Sequence, residues 1–365
     1  MPNFNPVKIV IVGCGMIAEI GYQPRCQAYP QKIELVGYYD QDINRAKLLA
    51  EKGGGKVYYS LDEVLNDPSV EGIINLTIHT GHYPVSLAGL KAGKHVYSEK
   101  PVALRVEEAD EMVETADQMD VKFACAPVAM LGYVQQSVWG RIRDGEIGEV
   151  VSAMGNFGGP LEYWHPNADL FMMEGVGPFK DVAPYPLTAM TTMIGPVKRV
   201  YGLARITIPE RMLHAGSRAG SKYQVTEKDH GIGLLEFESG AYGLLYHSWT
   251  ARSELPAYEI HGTKGCFSIQ AHDDGRGIQK STPTSGWESE DSPEKAYTGL
   301  DWGKGPSDFA DAIRHDRPVR CSGKHARHVL EICERVFEAA DKGIPVEVKS
   351  RFPAPTPVGD PPPWS

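Results

Sequence analysis

Positive charge is scarce in this sequence. Lys and Arg together number 37 against 47 Asp and Glu, giving a formal net charge of −10 over 365 residues. That balance argues against the broad basic face needed to bind nucleic acid or an anionic membrane surface. Paired cysteines are missing too. The six cysteines (14, 26, 125, 266, 321 and 333) form no Cys-x-x-Cys motif, and several stand in apolar contexts. They read as buried free thiols rather than a disulfide framework or a metal site. No uncharged apolar run is long enough to span a bilayer. The opening MPNFNPVKIVIVG has no basic region followed by an apolar core and a small-residue cleavage site. The expectation is a cytoplasmic protein with neither a nucleic-acid nor a membrane partner. The remaining composition is that of a globular protein, and the length favours two domains.

Strand–helix alternation fills the first third. Val7–Val12 (VKIVIV) is a β-branched run suited to a strand buried on both faces. It leads into Gly13-Cys14-Gly15-Met16-Ile17-Ala18, a G-x-G-x-x-A turn opening a helix. Gly13 permits the tight turn, Gly15 lets a pyrophosphate approach the backbone, and the amides around Met16 and Ile17 face the phosphates. A second apolar run, 33–39, ends at Asp40, about twenty residues past the motif, where an acidic residue accepts from ribose hydroxyls. Arg45 follows closely and is expected beside the cofactor, where its charge weakens a preference against a 2′-phosphate. GIINLTI (72–78) reads as the next strand, and the loop after it holds Thr77, His79 and His82, with His82 expected to contact cofactor or substrate. KHVYSEKPV (94–102) is a buried strand ending in Glu99-Lys100-Pro101. Proline stops the ladder there and leaves Lys100 at the carboxyl edge, where open α/β sheets bind ligands. Alone, that lysine reads more readily as a surface ion pair at a strand end than as a reactive cation, since most charged residues are solvated. Residues 1–127 are therefore expected to form a doubly wound parallel sheet of the Rossmann type.

The texture changes after Leu131. Runs at 149–157, 197–208, 231–238, 241–249, 257–261 and 265–270 alternate as strands with one solvated face, joined by short glycine turns. Helices are expected at 187–194, 307–314 and 325–342, with His325 and His328 on a solvated face, and irregular loops over 272–298. Residues 128–350 thus read as an α+β domain with a large open, mostly antiparallel sheet. Residues 351–365, ending PPPWS, read as an extended Pro-rich tail on which Trp364 could pack against a neighbour. The uncovered sheet face predicts a homo-oligomer, a dimer or tetramer. Within EGVGPFKDVAPYPL (174–187), Asp181 and Tyr185 stand four apart, so one helical turn would align them; an N-cap and a packing residue is the other reading.

Together these segments resemble the glucose–fructose oxidoreductase / inositol dehydrogenase / MocA family of nicotinamide-dependent dehydrogenases. The resemblance is carried by GCGMIA, Asp40, GIINLTI with His82, LKAGKHVYSEKPVA, IRDGEIGEVVSA, GPFKDVAPY and GTKG. It implies that Lys100 lies beside C4 of the nicotinamide, with Glu99 in the same cofactor-binding segment. The family's Asp-x-Gly-x-His stands here as Asp181-Val182-Ala183-Pro184-Tyr185, so the resemblance implies a Tyr–Lys rather than a His–Lys pair. Catalysis is then expected from Lys100, Tyr185 and Asp181, with a carbohydrate carbinol as substrate and no metal. Tyrosine, with a reference pKa of about 10, needs a neighbouring ammonium to act as base. Trp164 and His165, in LEYWHPN, are suited to stacking on and hydrogen-bonding a sugar. The carboxylate of Asp40 favours NAD over NADP. Two other functions are compatible with these residues: retained NAD recycled within one redox-neutral cycle on a glycoside, or a nucleotide-binding regulator without turnover.

Overall fold

The structure is a computed structural model, and it describes residues 5–271, 277–290 and 300–358. Trp364 and the end of the tail lie outside the described residues. The chain divides into two compact units, one comprising 1–131, 301–327 and 355–365, the other 132–300 and 328–354.

In the first unit the strands are β1 (Val7–Val12), β2 (Ile33–Tyr39), β3 (Lys56–Val57), β4 (Gly72–Asn75), β5 (His95–Ser98) and β6 (Phe123–Cys125). All their pairings are parallel, in the order β3-β2-β1-β4-β5-β6. The order reverses between β1 and β4, the switch point at which such sheets bind ligands. Every side chain of β1 except Lys8 is buried, and each Val or Ile contributes on the order of 1.5–3 kcal/mol.

The helical elements of this unit are α1 (Gln23–Cys26), α2 (Ile43–Gly53), α3 (Leu61–Asn66), α4 (His79–Lys91) and α5 (Val106–Gln118). A π-helical turn, Ala18–Tyr22, joins the glycine motif to α1. Helix α4 meets one face of the sheet through Ile73 and Val96, whose side chains approach Gly89. The next side chain along, Tyr97, points to the opposite face, where its ring packs on Phe309 of a helix from the C-terminal third. That helix belongs to the segment 301–327, which returns to this unit. The same segment covers the free edge of β6, where the Cys125 N–H donates to the Cys321 carbonyl at 2.9 Å.

The second unit begins with α6 (Tyr133–Arg143), β7 (Val150–Gly158), α7 (Gly177–Asp181) and α8 (Pro184–Ile194). Strands β8 (Val197–Arg205), β9 (Glu210–Met212), β10 (Lys222–Gln224), β11 (His230–Phe237), β12 (Tyr242–Ser248), β13 (Tyr258–Gly262) and β14 (Gly265–Ile269) follow. Next come β15 (Ile278–Thr282), β16 (Ser285–Glu290), α9 (Lys304–Arg314, the helix already met in the first unit), α10 (Gly323–Lys342) and β17 (Val346–Glu347). Among the described residues, nine strands form one sheet in the order β16-β15-β14-β13-β7-β12-β11-β8-β17. Only the β7–β12 pair is parallel. The open, mostly antiparallel sheet expected from the alternating runs is present.

One face of this sheet is covered by α8 and α10. Pro186 sits over Gly155 of β7, and Gly202 of β8 admits α10 so closely that a Cβ there would stand 2.0 Å from the Val336 carbonyl oxygen. On the other face Tyr201, Leu203, Leu234 and Tyr242 are exposed among the described residues.

Two expectations need correction. Residues 278–290 form the β15–β16 hairpin rather than irregular loop. The polar Ser, Thr and Gly residues there obscured it, but the edge of β14 supplies the pairing. His325 and His328 are buried, not solvated. His328 accepts the Val197 N–H at Nε2 (3.1 Å) and meets Ser350 Oγ through Nδ1 (2.8 Å), so it joins α10 to β8.

Candidate functional site

The carboxyl edge of the first sheet gathers the residues that the sequence singled out there. Gly13, at the end of β1, has φ +91°, and a Cβ on it would lie 2.6 Å from the main chain of Leu76 and Thr77. Its N–H donates to the Tyr39 carbonyl at 2.8 Å, so the turn is knitted to β2 on one side and packed against β4 on the other. Gly15 differs: nothing lies within 4 Å of a Cβ built there. This open cradle at the start of a helix is what a pyrophosphate needs. Met16 is exposed beside it. Asp40 closes the turn, with Oδ2 accepting the Cys14 N–H at 2.7 Å and Oδ1 accepting the Asp42 N–H at 2.8 Å. Arg45 pairs with Asp42 at 3.6 Å on the surface. The residues present fit a dinucleotide.

The Glu99-Lys100-Pro101 segment is held from several directions. The Glu99 N–H donates to the Asn75 carbonyl at 2.9 Å. Oε1 of Glu99 accepts from the Tyr22 hydroxyl at 2.6 Å, and Oε2 accepts the Lys100 N–H at 2.9 Å. The Glu99 carboxylate thus ties the end of β5 to the helical turn that follows the glycine motif. Burial, with Glu99 alongside, pushes the Tyr22 hydroxyl well above its ordinary pKa, so it stays a donor. The Lys100–Pro101 peptide is cis. These contacts position the Lys100 backbone at the cofactor edge.

His82 lies among the loops of that edge but does not open onto it. Its ring is buried, with Nδ1 2.7 Å from the Pro101 carbonyl and Nε2 3.0 Å from the Thr77 carbonyl. Burial lowers its pKa, and a neutral imidazole has one N–H to offer the two carbonyls. It braces the β4 loop against the β5 loop from below. The expectation that its ring contacts cofactor or substrate therefore gives way to a supporting role. Thr77 turns its own hydroxyl back to Asn75 Oδ1 at 2.6 Å and keeps one side of the loop in solvent.

In the second unit, Asp181 ends α7 and is buried, while Tyr185 lies half-buried in the first turn of α8. Val182 and Ala183 separate the two helices, and the Tyr185 N–H donates to the Val182 carbonyl at 3.2 Å. Asp181 is not the N-cap of α8; that place is taken by Ala183, without a side-chain cap. Trp164 is 60% exposed and meets the His165 ring edge-on at 5.7 Å. His165 packs against Phe171 at 4.7 Å, and its Nδ1 accepts the Asn167 N–H at 3.1 Å.

Three partnerships escaped sequence reasoning: Tyr22 with Glu99, Asn75 with Ser86, and Arg211 with Glu162 and Asp229. Each partnership joins positions far apart in the chain or too ordinary in type to be noticed. Among the described residues, no three His, Cys, Asp or Glu side chains form a metal-ligating group, and no helix is long and apolar enough to cross a membrane.

A glycine cradle and acidic closure at the switch point of a parallel sheet define a dinucleotide-binding protein. Residues 7–126 match the family model described as an oxidoreductase family with the NAD-binding Rossmann fold, and residues 136–268 match the GFO/IDH/MocA C-terminal domain. The chain belongs to this GFO/IDH/MocA oxidoreductase family, whose dinucleotide is NAD. It is 32% identical over 153 residues to the uncharacterized oxidoreductase ORF334 of Rhizobium meliloti, a stretch covering 41% of this chain and 45% of that one. It is 28% identical over 244 residues to D-xylose dehydrogenase of Paenarthrobacter nicotinovorans, covering 61% of this chain and 60% of the relative. In both cases the match spans less than two thirds of the relative. The fold superposes on levoglucosan dehydrogenase in complex with NADH and levoglucosan with a TM-score of 0.82 at 20% identity, covering 94% of this chain and 100% of that one.

Proposed function

We propose that this protein interconverts a secondary alcohol and a ketone on a sugar, sugar derivative or glycoside, with NAD as hydride carrier. The observation that carries the reading is Lys100, held at the carboxyl edge of the parallel sheet by the Glu99 and Pro101 anchors and one strand from the β4 loop that packs on the glycine turn. The carbohydrate class is supported by the names of the xylose and levoglucosan dehydrogenases to which the chain is similar. The nicotinamide, when bound, accepts or supplies the hydride. Tyr185 takes the hydroxyl proton of the substrate. The Lys100 ammonium holds the developing oxyanion of the substrate. Asp181 orients the substrate or the ammonium, and Trp164 and His165 contact the sugar. The test is NAD reduction, followed by nicotinamide absorbance, across a panel of sugars, inositols and glycosides. A protein that binds NADH but reduces NAD with none of them does not have this function.

Preference for NAD over NADP follows from Asp40, whose charge at the end of β2 repels a 2′-phosphate, and from Arg45, which is engaged by Asp42. Asp40→Asn removes the charge and keeps one acceptor oxygen for the two N–H groups that the carboxylate holds. The NADH-to-NADPH affinity ratio should fall about tenfold, an electrostatic change of about 1.4 kcal/mol. An unchanged ratio in titrations with both nucleotides removes that role from Asp40.

The face of the second sheet away from α8 and α10 is proposed to pair with a second copy of this chain. Registered neighbours Tyr201, Leu203, Ile232, Leu234, Leu244 and Tyr242 line it, with Leu203 72% exposed. A contiguous apolar face of this kind on a soluble chain marks an interface. Leu203→Glu should shift the protein to monomer in light scattering. An unaltered mass, or a wild type that is itself monomeric, rules the pairing out.

A further inference from the structure

In the second unit, the loop 160–176 departs from β7 and carries two large rings on its first turn. Tyr163 is 61% exposed and Trp164 60% exposed, whereas their neighbours Leu161 and Phe171 pack inward on Trp249 and Val182. A loop that served only to cover the core would turn these rings inward as well. Instead, the residue between Leu161 and Tyr163 anchors the turn from below. Glu162 is buried and accepts from Arg211 Nη1 through both carboxylate oxygens, at 2.9 and 3.1 Å. The same Arg211 donates through Nη1 to the Trp249 carbonyl at 2.9 Å and through Nη2 to Asp229 Oδ2 at 2.5 Å. All three ions are almost fully buried.

The β9–β10 hairpin that supplies Arg211 also grips the loop directly. The His214 N–H donates to the Glu162 carbonyl at 2.9 Å, and the His214 ring lies parallel to Tyr163 with centroids 4.3 Å apart and planes 5° apart. Arg218 pairs with Asp169 at 2.7 Å, and the N–H groups of Thr226 and Glu227 donate to the Met172 carbonyl at 3.0 and 3.1 Å. The exposed rings are therefore set on a rigid base. Rigid aromatic surface lowers the ordering cost of binding. A flat ring with a polar rim matches the C–H face of a pyranose edged by hydroxyls. One arginine between two carboxylates leaves a net negative charge beneath the rings, which favours a neutral ligand over an anionic one.

We propose that Tyr163 and Trp164 form a preformed ledge for a neutral sugar ring, and that Arg211 is the residue positioning it through Glu162. This rests on the proposed carbohydrate oxidoreduction and extends it: the substrate is unphosphorylated, and a surface outside the catalytic residues sets its affinity. The test uses the NAD-loaded protein with D-xylose, D-glucose, methyl β-D-glucopyranoside and D-glucose 6-phosphate. Tyr163→Ala removes an exposed ring together with its stack on His214 and leaves the Glu162–Arg211–Asp229 ions of the base in place. Its KM for the best neutral sugar should rise about three- to tenfold, the range of aromatic contact energies. Arg211→Lys keeps the charge and loses the fork, and should raise the same KM at least as much, with kcat and NADH affinity kept within about threefold. A purely structural arginine would lower the melting temperature and the active fraction while leaving KM alone. D-glucose 6-phosphate should be at least tenfold poorer than D-glucose. An unchanged KM in Tyr163→Ala, or a preference for the phosphate, overturns the ledge. An unchanged KM in Arg211→Lys overturns the role of Arg211. If no sugar in the panel is turned over by the wild type, the carbohydrate reading fails and the ledge falls with it, a result distinct from turnover with unaltered KM.

Discussion

Lys100→Met should bind NADH as the wild type does and lose hydride transfer by about 10²–10⁴-fold, the range that positioned proton-handling and oxyanion-holding groups contribute. The two halves of this expectation rest on different atoms. The main chain at Lys100 is held by the Glu99 carboxylate and, one residue on, by His82 at the Pro101 carbonyl. None of those contacts uses the ammonium, and methionine keeps most of the unbranched apolar stem while ending one atom short and uncharged. The nucleotide cradle at Gly13, Gly15 and Asp40 also lies on other strands. Removing the charge therefore removes the chemistry assigned to it while leaving these backbone anchors and the glycine cradle in place. Fluorescence titration with NADH and single-turnover kinetics separate the two. Turnover at the wild-type rate sinks the mechanism, and loss of NADH binding would mean that Lys100 supports the fold or the nucleotide instead. Tyr185→Phe gives the companion measurement: if Tyr185 is the proton acceptor, its loss is as severe as that of Lys100, and the double variant is scarcely worse than either single one.

The second large effect is a contrast between two glycines two positions apart. Gly13→Ala places a Cβ 2.6 Å from the backbone of Leu76 and Thr77 at a φ of +91°. The conformation alone costs on the order of 1–2 kcal/mol. The neighbouring atoms are main chain of a buried strand end and have no flexible side chain to move aside. The β1 turn and the β4 loop must separate, so both the melting temperature and the NADH affinity should fall. Gly15→Ala meets nothing within 4 Å and has no positive φ, so the apo protein should melt within about 1 °C of the wild type, since an unstrained surface substitution changes stability little. Its Cβ occupies the space assigned to the pyrophosphate, and NADH affinity should weaken at least tenfold, about 1.4 kcal/mol. Calorimetry and NADH titration on both variants decide the matter. A Gly15→Ala protein with unaltered affinity would mean that the nucleotide does not approach the turn at this residue.

Much of the first unit was legible because its signals are local. A β-branched run buried on both faces, glycines where a helix begins and an acidic residue after the next strand each follow from a few consecutive residues. They correspond to β1, the turn at Gly13–Gly15 and Asp40. The alternating runs of the second unit likewise indicated an open antiparallel sheet. The hairpin at 278–290 was missed because its residues are polar and its pairing comes from β14, not from its own pattern. His325 and His328 were misjudged as solvated because a spacing of three says which helix face a residue is on, not what that face meets.

The chain's own order of residues determines where phosphates can approach a backbone, where a strand must stop before Pro101, and which carboxylate stands at the end of β2. These depend on torsional freedom, missing N–H groups and charge at single positions. Tertiary structure alone decides that His82 lies under the edge, that the Tyr22 hydroxyl reaches Glu99 across 77 residues, and that Arg211 is buried between Glu162 and Asp229. A side chain's role there depends on which carbonyl or carboxylate long-range packing brings within hydrogen-bond distance, and no pattern along the sequence encodes that distance.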